Sequence, residues 1–439
     1  MGIFFGTDGI RGLVNSELTY DLAFKCGNAL ASNKPYAKIL IGRDTRISGS
    51  YLSIAFAGGA ISAGASVVDI GICPTAGIAY LTKSLKYDYG VVISASHNPP
   101  DYNGIKIFDK NGYKLGDKNE NALERKFVNT TYVSPKNIKN YTQNSKISSK
   151  YANFLVNSCN LSLEGLKIVV DTSNGASYKI APKVLKNLGA KVIKINSRNN
   201  GAIINQNCGS LHPQSLCQTV IAEKADMGFA FDGDSDRIIA CDENGNILDG
   251  DIILYMLAKY FKANKLLSQN TIVGTSHTNM GIENSLKNLG IKLLRSDVGD
   301  KYVLEKMLEQ KLSLGGEKSG HIIISNYATT GDGILSAIKI AEMVKTSNKN
   351  LSSLAKVKLY PQVNIDCVVS DKMRIINNEK LSNIQAEQEK LLGENSRIMV
   401  RVSGTEPKIR IMVETLDKDK ALIVAKIIEQ TVKEIDQKE

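Results

Sequence analysis

Three aspartates stand at alternate positions in the run Asp232-Gly233-Asp234-Ser235-Asp236-Arg237. Carboxylates spaced this way on an extended or looping segment can converge on one hard cation. Their mutual repulsion is about 1 kcal/mol per pair in water and more once desolvated, so a cation or solvent has to relieve it. Glu243 falls at the twelfth position of a loop starting at Asp232, which raises the possibility of an EF-hand. Arg237 occupies the sixth position, where that loop needs Gly, and the flanks Met227 to Phe231 and Ile238 to Ala240 are β-like, so an EF-hand is rejected. An acidic triplet with one side open to phosphate oxygens suits Mg²⁺.

Three more segments carry chemistry. Ser94-Ala95-Ser96-His97-Asn98-Pro99-Pro100 follows the buried-strand pattern Gly90 to Ile93, and its prolines can join neither a sheet ladder nor a simple helix start. Ser96 is therefore expected in an irregular loop where a strand leaves the sheet, with Lys106 of Asn103-Gly104-Ile105-Lys106 close behind. No G-x-S-x-G occurs, which excludes a hydrolase elbow. Gly315 to Gly320 has the spacing of a phosphate-binding P-loop, but His321 stands where that loop needs Lys, so an NTPase is rejected. Carboxylate, hydroxyl and imidazole from Glu317, Ser319 and His321 suit sugar hydroxyls. Arg401-Val402-Ser403-Gly404-Thr405-Glu406-Pro407, followed by Arg410, offers hydroxyls, exposed amides and guanidiniums of the kind a phosphate dianion requires.

Short β-branched runs alternate with amphipathic runs through the first 360 residues, which predicts parallel α/β layers. Leu185-Lys186-Asn187-Leu188-Gly189-Ala190-Lys191 and Leu286-Lys287-Asn288-Leu289-Gly290-Ile291-Lys292 are near-identical αβ turns about 100 residues apart. Ala63-Gly64-Ala65 is a looser third copy, so three related modules are expected. After Leu359-Tyr360-Pro361 the pattern changes to strand, polar helix, two strands and a long amphipathic helix from Lys418 to Ile435, with Leu422, Ala425, Ile428 and Val432 on one face.

A chain of 439 residues has room for three or four domains. Hydrophobic residues at 43% and charged residues at 23% exclude a disordered or fibrous chain. The net charge of +11 favours anionic partners, but the lysines are scattered rather than blocked, which argues against a nucleic-acid arm. Seven cysteines without a C-x-x-C pair point away from a disulfide framework or zinc site and toward a reducing cytosol. Met1 to Gly6 lacks the charged and apolar regions of a secretory leader, and the apolar stretch Ile54 to Val68 is too short to span a bilayer. A cytoplasmic enzyme with neither a nucleic-acid nor a membrane partner is expected.

Taken in order, these segments and the opening Phe5-Gly6-Thr7-Asp8-Gly9-Ile10-Arg11-Gly12 resemble the α-D-phosphohexomutase superfamily essentially end to end. Gly42 to Gly49, Ser403 to Pro407 and Thr329 to Gly333 are most similar to its bacterial branch acting on glucosamine phosphates. The resemblance implies three α/β modules with mixed sheets plus a C-terminal α+β domain, like the TATA-box-binding protein, around a central cleft. The expected boundaries are 1–150, 151–250, 251–360 and 361–439. It implies that Ser96 carries the phosphoryl group and that Asp232, Asp234, Asp236 and an oxygen of phospho-Ser96 hold one Mg²⁺. Arg11, His97, Lys106, Arg237 and His321 would surround the reacting centre. Glu317 and Ser319 would bind sugar hydroxyls, and Arg401, Ser403, Gly404, Thr405 and Arg410 the phosphate that is not transferred.

The implied activity is an isomerase interconverting glucosamine 6-phosphate and glucosamine 1-phosphate, with glucosamine 1,6-bisphosphate as intermediate and activator, on the route to UDP-N-acetylglucosamine. Glucose or mannose phosphates are the alternative substrates, and the chain is expected as a monomer or homodimer. Three departures stand out: Lys318 where that branch has Gln, Val402 where Lys is common, and Leu211 in place of a more usual Thr.

Overall fold

The computed structural model describes residues 4–6, 8–34, 36–128, 135, 139–403 and 406–437. By contact density these form two compact units. The first comprises residues up to Thr278 together with Leu289–Lys356, and the second comprises Asn279–Asn288 with Val357–Glu439.

The first unit contains three sheets. The first orders its seven strands Phe5–Gly6, Gly9–Leu13, Tyr102–Asp109, Tyr89–Ile93, Lys38–Arg43, Ser66–Ile72 and Tyr141–Gln143. The second runs Ile247–Leu248, Ile238–Asp242, Met227–Phe231, Lys167–Asp171 and Lys191–Ile195. The third runs Lys292–Ser296, Thr271–Thr275, Leu314–Gly316 and Ile322–Ile324. Each sheet is mixed, as the resemblance implies: its parallel strands, which the alternating β and amphipathic runs predict, meet an antiparallel neighbour on one side.

That shared antiparallel pairing explains where the chemistry sits. Tyr89–Ile93 pairs with Tyr102–Asp109, Met227–Phe231 with Ile238–Asp242, and Leu314–Gly316 with Ile322–Ile324. The links between them are the Ser96 loop, the triple-aspartate loop and the Glu317–His321 loop. Three repeated modules thus present three motif loops from the same place in the topology, at the exit of a buried parallel strand. The repeated αβ turns also appear, each closing at a Gly with positive φ: 91° at Gly64, 99° at Gly189 and 63° at Gly290.

The cores are mainly aliphatic, as expected of a chain with 6% aromatic residues and no Trp, with Phe56, Phe108, Phe229 and Phe231 fully buried among them. All seven cysteines are buried and free. No helix among the described residues is long and apolar enough to cross a membrane.

In the second unit Lys408–Thr415 lies between Gln362–Val368 and Ser396–Val402, both antiparallel to it. Helices Glu379–Leu392 and Lys418–Gln437 pack against this sheet. The long helix buries Ala421, Val424, Ala425, Ile428, Val432 and Ile435, whereas Leu422 is 41% exposed. Leu422 lies about 100° around the helix from Ala421, which takes it off the face assigned from the sequence. Helix Met280–Asn288 groups with this unit: Asn279 donates to the Tyr360 carbonyl and accepts from its amide, both at 2.9 Å.

Candidate active site

Ser96 lies at φ 53°, a left-handed conformation that costs a non-glycine residue energy and persists only where its surroundings fix it. Arg46 supplies most of that fixing. Fully buried, it pairs with Asp44 at 2.9 Å and donates to the carbonyls of Ser96 (3.0 Å), Asn98 (2.7 Å), Tyr102 (2.8 Å) and Pro99. Asn205 of the second module donates to the Ser96 and Asn98 carbonyls at 2.8 and 3.0 Å. A Cβ at Gly233 would lie 2.5 Å from the Ser96 carbonyl, so only glycine lets the aspartate loop approach so closely.

The Ser96 hydroxyl donates to Asp232 Oδ2 at 2.5 Å. Candidate ligand oxygens of Asp232, Asp234 and Asp236 all lie within 4.8 Å of one another, and all three side chains are buried. Lys106 Nζ contacts Asp234 Oδ2 at 2.7 Å, Asp236 Oδ2 at 3.2 Å and Asp8 Oδ2 at 3.0 Å. Burial alone would discharge this lysine, but the three carboxylates outweigh it and hold its pKa well above the usual value. Burial, together with Asp236 and Asp234, pushes Asp232 far up, whereas Asp236 is held low despite burial by Lys106 and His321.

Asp234 Oδ1 and Asp236 Oδ1 are buried and accept no hydrogen bond. Orphaned carboxylate oxygens converging beside a serine hydroxyl are a donor set that a hard divalent cation fits.

Around this centre, Arg237 donates to His97 Nδ1 at 3.0 Å, and Arg11 to Asn98 Oδ1 at 3.2 Å. The Nε atoms of Arg11 and Arg237 are buried without a partner, leaving donors for an anion. Burial and the nearby charges of Arg237 and Arg11 lower the His97 pKa to about 4, so His97 is neutral and accepts from Arg237. His321 Nδ1 lies 3.8 Å from Asp236, and its Nε2 accepts from the Gly331 amide at 3.0 Å. Burial lowers the His321 pKa, but Asp236 and Asp300 raise it further. A charged ring would nonetheless need hydrogen on Nε2, and the fixed Gly331 N–H excludes that; the neutral tautomer with hydrogen on Nδ1, toward Asp236, satisfies both contacts. Glu317 is buried and accepts from the Gly299 amide at 2.9 Å, whereas Ser319 is exposed.

In the second unit, Arg401 and Arg410 are directly opposed cross-strand partners. Burial, then repulsion from Arg410, lowers the Arg401 pKa. Arg410 pairs with Glu406 at 3.0 Å, and the buried Ser403 hydroxyl accepts from the Glu406 amide at 3.3 Å. Gly404 and Thr405 lie outside the described residues.

Asp44, Arg46 and Asn205 were given no role from the sequence, and neither was Asp8. Asp44, Arg46 and Asp8 stand inside motifs quoted only for resemblance; Asn205 carries no local signal, because its role depends on two loops meeting.

Comparison with known proteins fits this geometry. Residues 2–133, 148–245, 249–360 and 364–430 match the profiles for Phosphoglucomutase/phosphomannomutase alpha/beta/alpha domains I, II and III and the C-terminal domain. The chain belongs to the phosphoglucomutase/phosphomannomutase family.

Among members of this family, the phosphoglucosamine mutase of Alkaliphilus oremlandii is 44% identical over 98% of this chain and 99% of its own. That of Ruminiclostridium cellulolyticum is 45% identical over 95% and 96%. A family protein from Burkholderia thailandensis shares the fold at a TM-score of 0.84 and 23% identity, covering 98% of each chain. The Aspergillus fumigatus N-acetylphosphoglucosamine mutase, solved with GlcNAc-6P and magnesium, matches at a TM-score of 0.67 and 15% identity, covering 99% of this chain and 96% of that one. At these identities the two structures bear on the fold alone.

Proposed function

We propose that this chain is a phosphoglucosamine mutase, an isomerase that interconverts glucosamine 6-phosphate and glucosamine 1-phosphate. The observation that carries the chemistry is the Ser96 hydroxyl 2.5 Å from Asp232 in a cluster of three buried aspartates and one buried lysine. The choice of sugar is supported by the name shared by relatives 44% and 45% identical over nearly the whole chain.

In this reading phospho-Ser96 gives its phosphoryl group to the free hydroxyl of the sugar phosphate. The 1,6-bisphosphate formed turns around, and its other phosphate returns to Ser96. A loose, in-line phosphoryl transfer needs positioning and charge neutralisation more than covalent intervention. Arg46 and Asn205 hold Ser96 for attack. Arg11 and Arg237 have unused buried donors for phosphate oxygens. Lys106, protonated and fixed by three carboxylates, supplies positive charge, and the proton of the attacking sugar hydroxyl ends on the Ser96 oxygen freed when its bond to phosphorus breaks. His321, neutral with its proton on Nδ1, lies close behind, and Glu317 offers a carboxylate for sugar hydroxyls.

Asp232, Asp234 and Asp236, with an oxygen of phospho-Ser96, would hold one Mg²⁺, which when bound neutralises developing phosphate charge. Arg401, Ser403 and Arg410, joined by Gly404 and Thr405, would bind the phosphate that stays in place. Two opposed guanidiniums repel until an anion lies between them.

The testing experiment compares kcat/KM on the 1-phosphates of glucosamine, glucose and mannose. Preference for glucosamine 1-phosphate is expected; a preference above tenfold for glucose or mannose would replace this sugar assignment while leaving the family mechanism intact.

A further inference from the structure

Behind Lys106 the polar side chains close into a ring, ion-paired along the arc from Lys106 through Asp8 and Lys114 to Asp300. Lys106 Nζ meets Asp8 Oδ2 at 3.0 Å; Asp8 Oδ1 pairs with Lys114; Lys114 pairs with Asp300. Asp300 Oδ2 also lies 3.7 Å from His321 Nε2, an approach without a hydrogen bond because Nε2 accepts from Gly331; His321 Nδ1 lies 3.8 Å from Asp236 Oδ2, and Asp236 Oδ2 returns to Lys106 at 3.2 Å. The ring draws on all three modules. Two of its members, Lys114 and Asp300, touch neither Ser96 nor the aspartate triplet and fall outside the motifs quoted above.

We propose that Lys114 and Asp300 are positioning residues for phosphoryl transfer, locking across two modules the carboxylate that aims Lys106 and Arg11 and the side of the site that holds His321. The proposal rests on the mutase reading above.

The argument lies in how Asp8 is shared. Its Oδ2 serves both Lys106 and Arg11, while its Oδ1 faces Lys114. A carboxylate held from both oxygens cannot rotate, so Lys114 fixes the place of the Oδ2 that two reacting-centre cations use. Lys114 is anchored in turn by Asp300, the first residue of helix Asp300–Gln310, where the helix N-terminus also favours a negative charge. The Lys114 and Asp300 side chains are only 16% and 15% exposed. Pairs this far from solvent add little net stability over an apolar replacement, but they hold geometry. A displacement of about 1 Å at a transfer site can cost about a hundredfold in rate. Lys114 and Asp300 also line a cavity of about 180 Å³ with Glu120, Lys301 and Thr330, so an apolar side chain at 114 has room and need not disturb packing.

The test measures kcat, KM and melting temperature for wild type, Lys114→Met, Asp300→Asn, their double variant and Lys114→Arg, with glucosamine 1-phosphate and a hexose 1,6-bisphosphate activator. The expected result is a kcat loss of about tenfold to a hundredfold in each single variant with KM within about threefold. The double variant should be no worse than the poorer single, and Lys114→Arg should recover most of the loss. If Lys114→Met fails to fold, Asp300→Asn carries the same expectation. A kcat within about twofold of wild type in the folded variants, or losses that multiply in the double variant, would overturn the proposal. A wild-type enzyme inactive on every hexose phosphate would instead overturn the mutase reading itself.

Discussion

Ser96 donates to Asp232 at 2.5 Å although the two residues lie 136 positions apart in different modules. This contact joins the proposed nucleophile to the acidic triplet, and it exists because two loops leave equivalent strands of repeated sheets and meet over Gly233. Ser96→Ala is expected to abolish turnover while the protein keeps its melting temperature within a few degrees. An active Ser96→Ala enzyme would remove Ser96 from the mechanism.

Metal removal tests the triplet. Chelation is expected to stop turnover, and Mg²⁺ to restore it in wild type but not in Asp234→Asn or Asp236→Asn. Because a cation bound to the folded state relieves buried repulsion, adding Mg²⁺ should raise the melting temperature of wild type more than that of either variant. Equal shifts in all three would place the cation elsewhere.

The sequence made the three motif loops legible because each bundles chemistry-bearing residues within a few positions after a strand. The repeated turns at Gly189 and Gly290 likewise made the modules countable. Residues acting across modules left no local signal. Asn205 and Asp300 become meaningful only when their partners arrive from elsewhere in the chain. The error at Leu422 has a different origin: two adjacent helix positions differ by about 100°, so a one-residue offset in an apolar stripe turns a side chain outward.

Arg46 gives the clearest packing prediction. Replacing it with Met takes one donor from each of four loop carbonyls and leaves the buried Asp44 without its cation, at a cost of about 3–5 kcal/mol for breaking a buried ionic network. Thermal denaturation should show a markedly lower melting temperature, and Ser96 should no longer become phosphorylated. Lys at this position cannot fork to the same carbonyls and should rescue little. Wild-type stability in Arg46→Met would contradict this account of the loop.

Arg401→Gln separates binding from folding. It removes one of two facing like charges, so the melting temperature without ligand should hold or rise slightly, by the equivalent of about 0.2–1 kcal/mol. KM for the sugar phosphate should rise by about tenfold or more, with a smaller change in kcat. An unchanged KM would show that the non-transferring phosphate binds elsewhere.

His97 gives a pH signature. Burial, then Arg237 and Arg11, depress its folded pKa to about 4, below the unfolded value near 6.5. For such a base the unfolded chain takes up the proton first, so its contribution is complete above pH 6.5 and is lost as pH falls from 6.5 toward 4. Melting curves across that window should fall less steeply for His97→Gln than for wild type. Parallel slopes would show that folding leaves the His97 pKa at its unfolded value.

The most direct measurement follows the phosphorus atom itself. Enzyme radiolabelled on Ser96 and mixed with unlabelled glucosamine 6-phosphate should lose label from Ser96 into sugar phosphate, with almost none released as inorganic phosphate. Label that stays on Ser96 while isomerisation proceeds, or that departs as inorganic phosphate, would contradict a phosphoserine mutase.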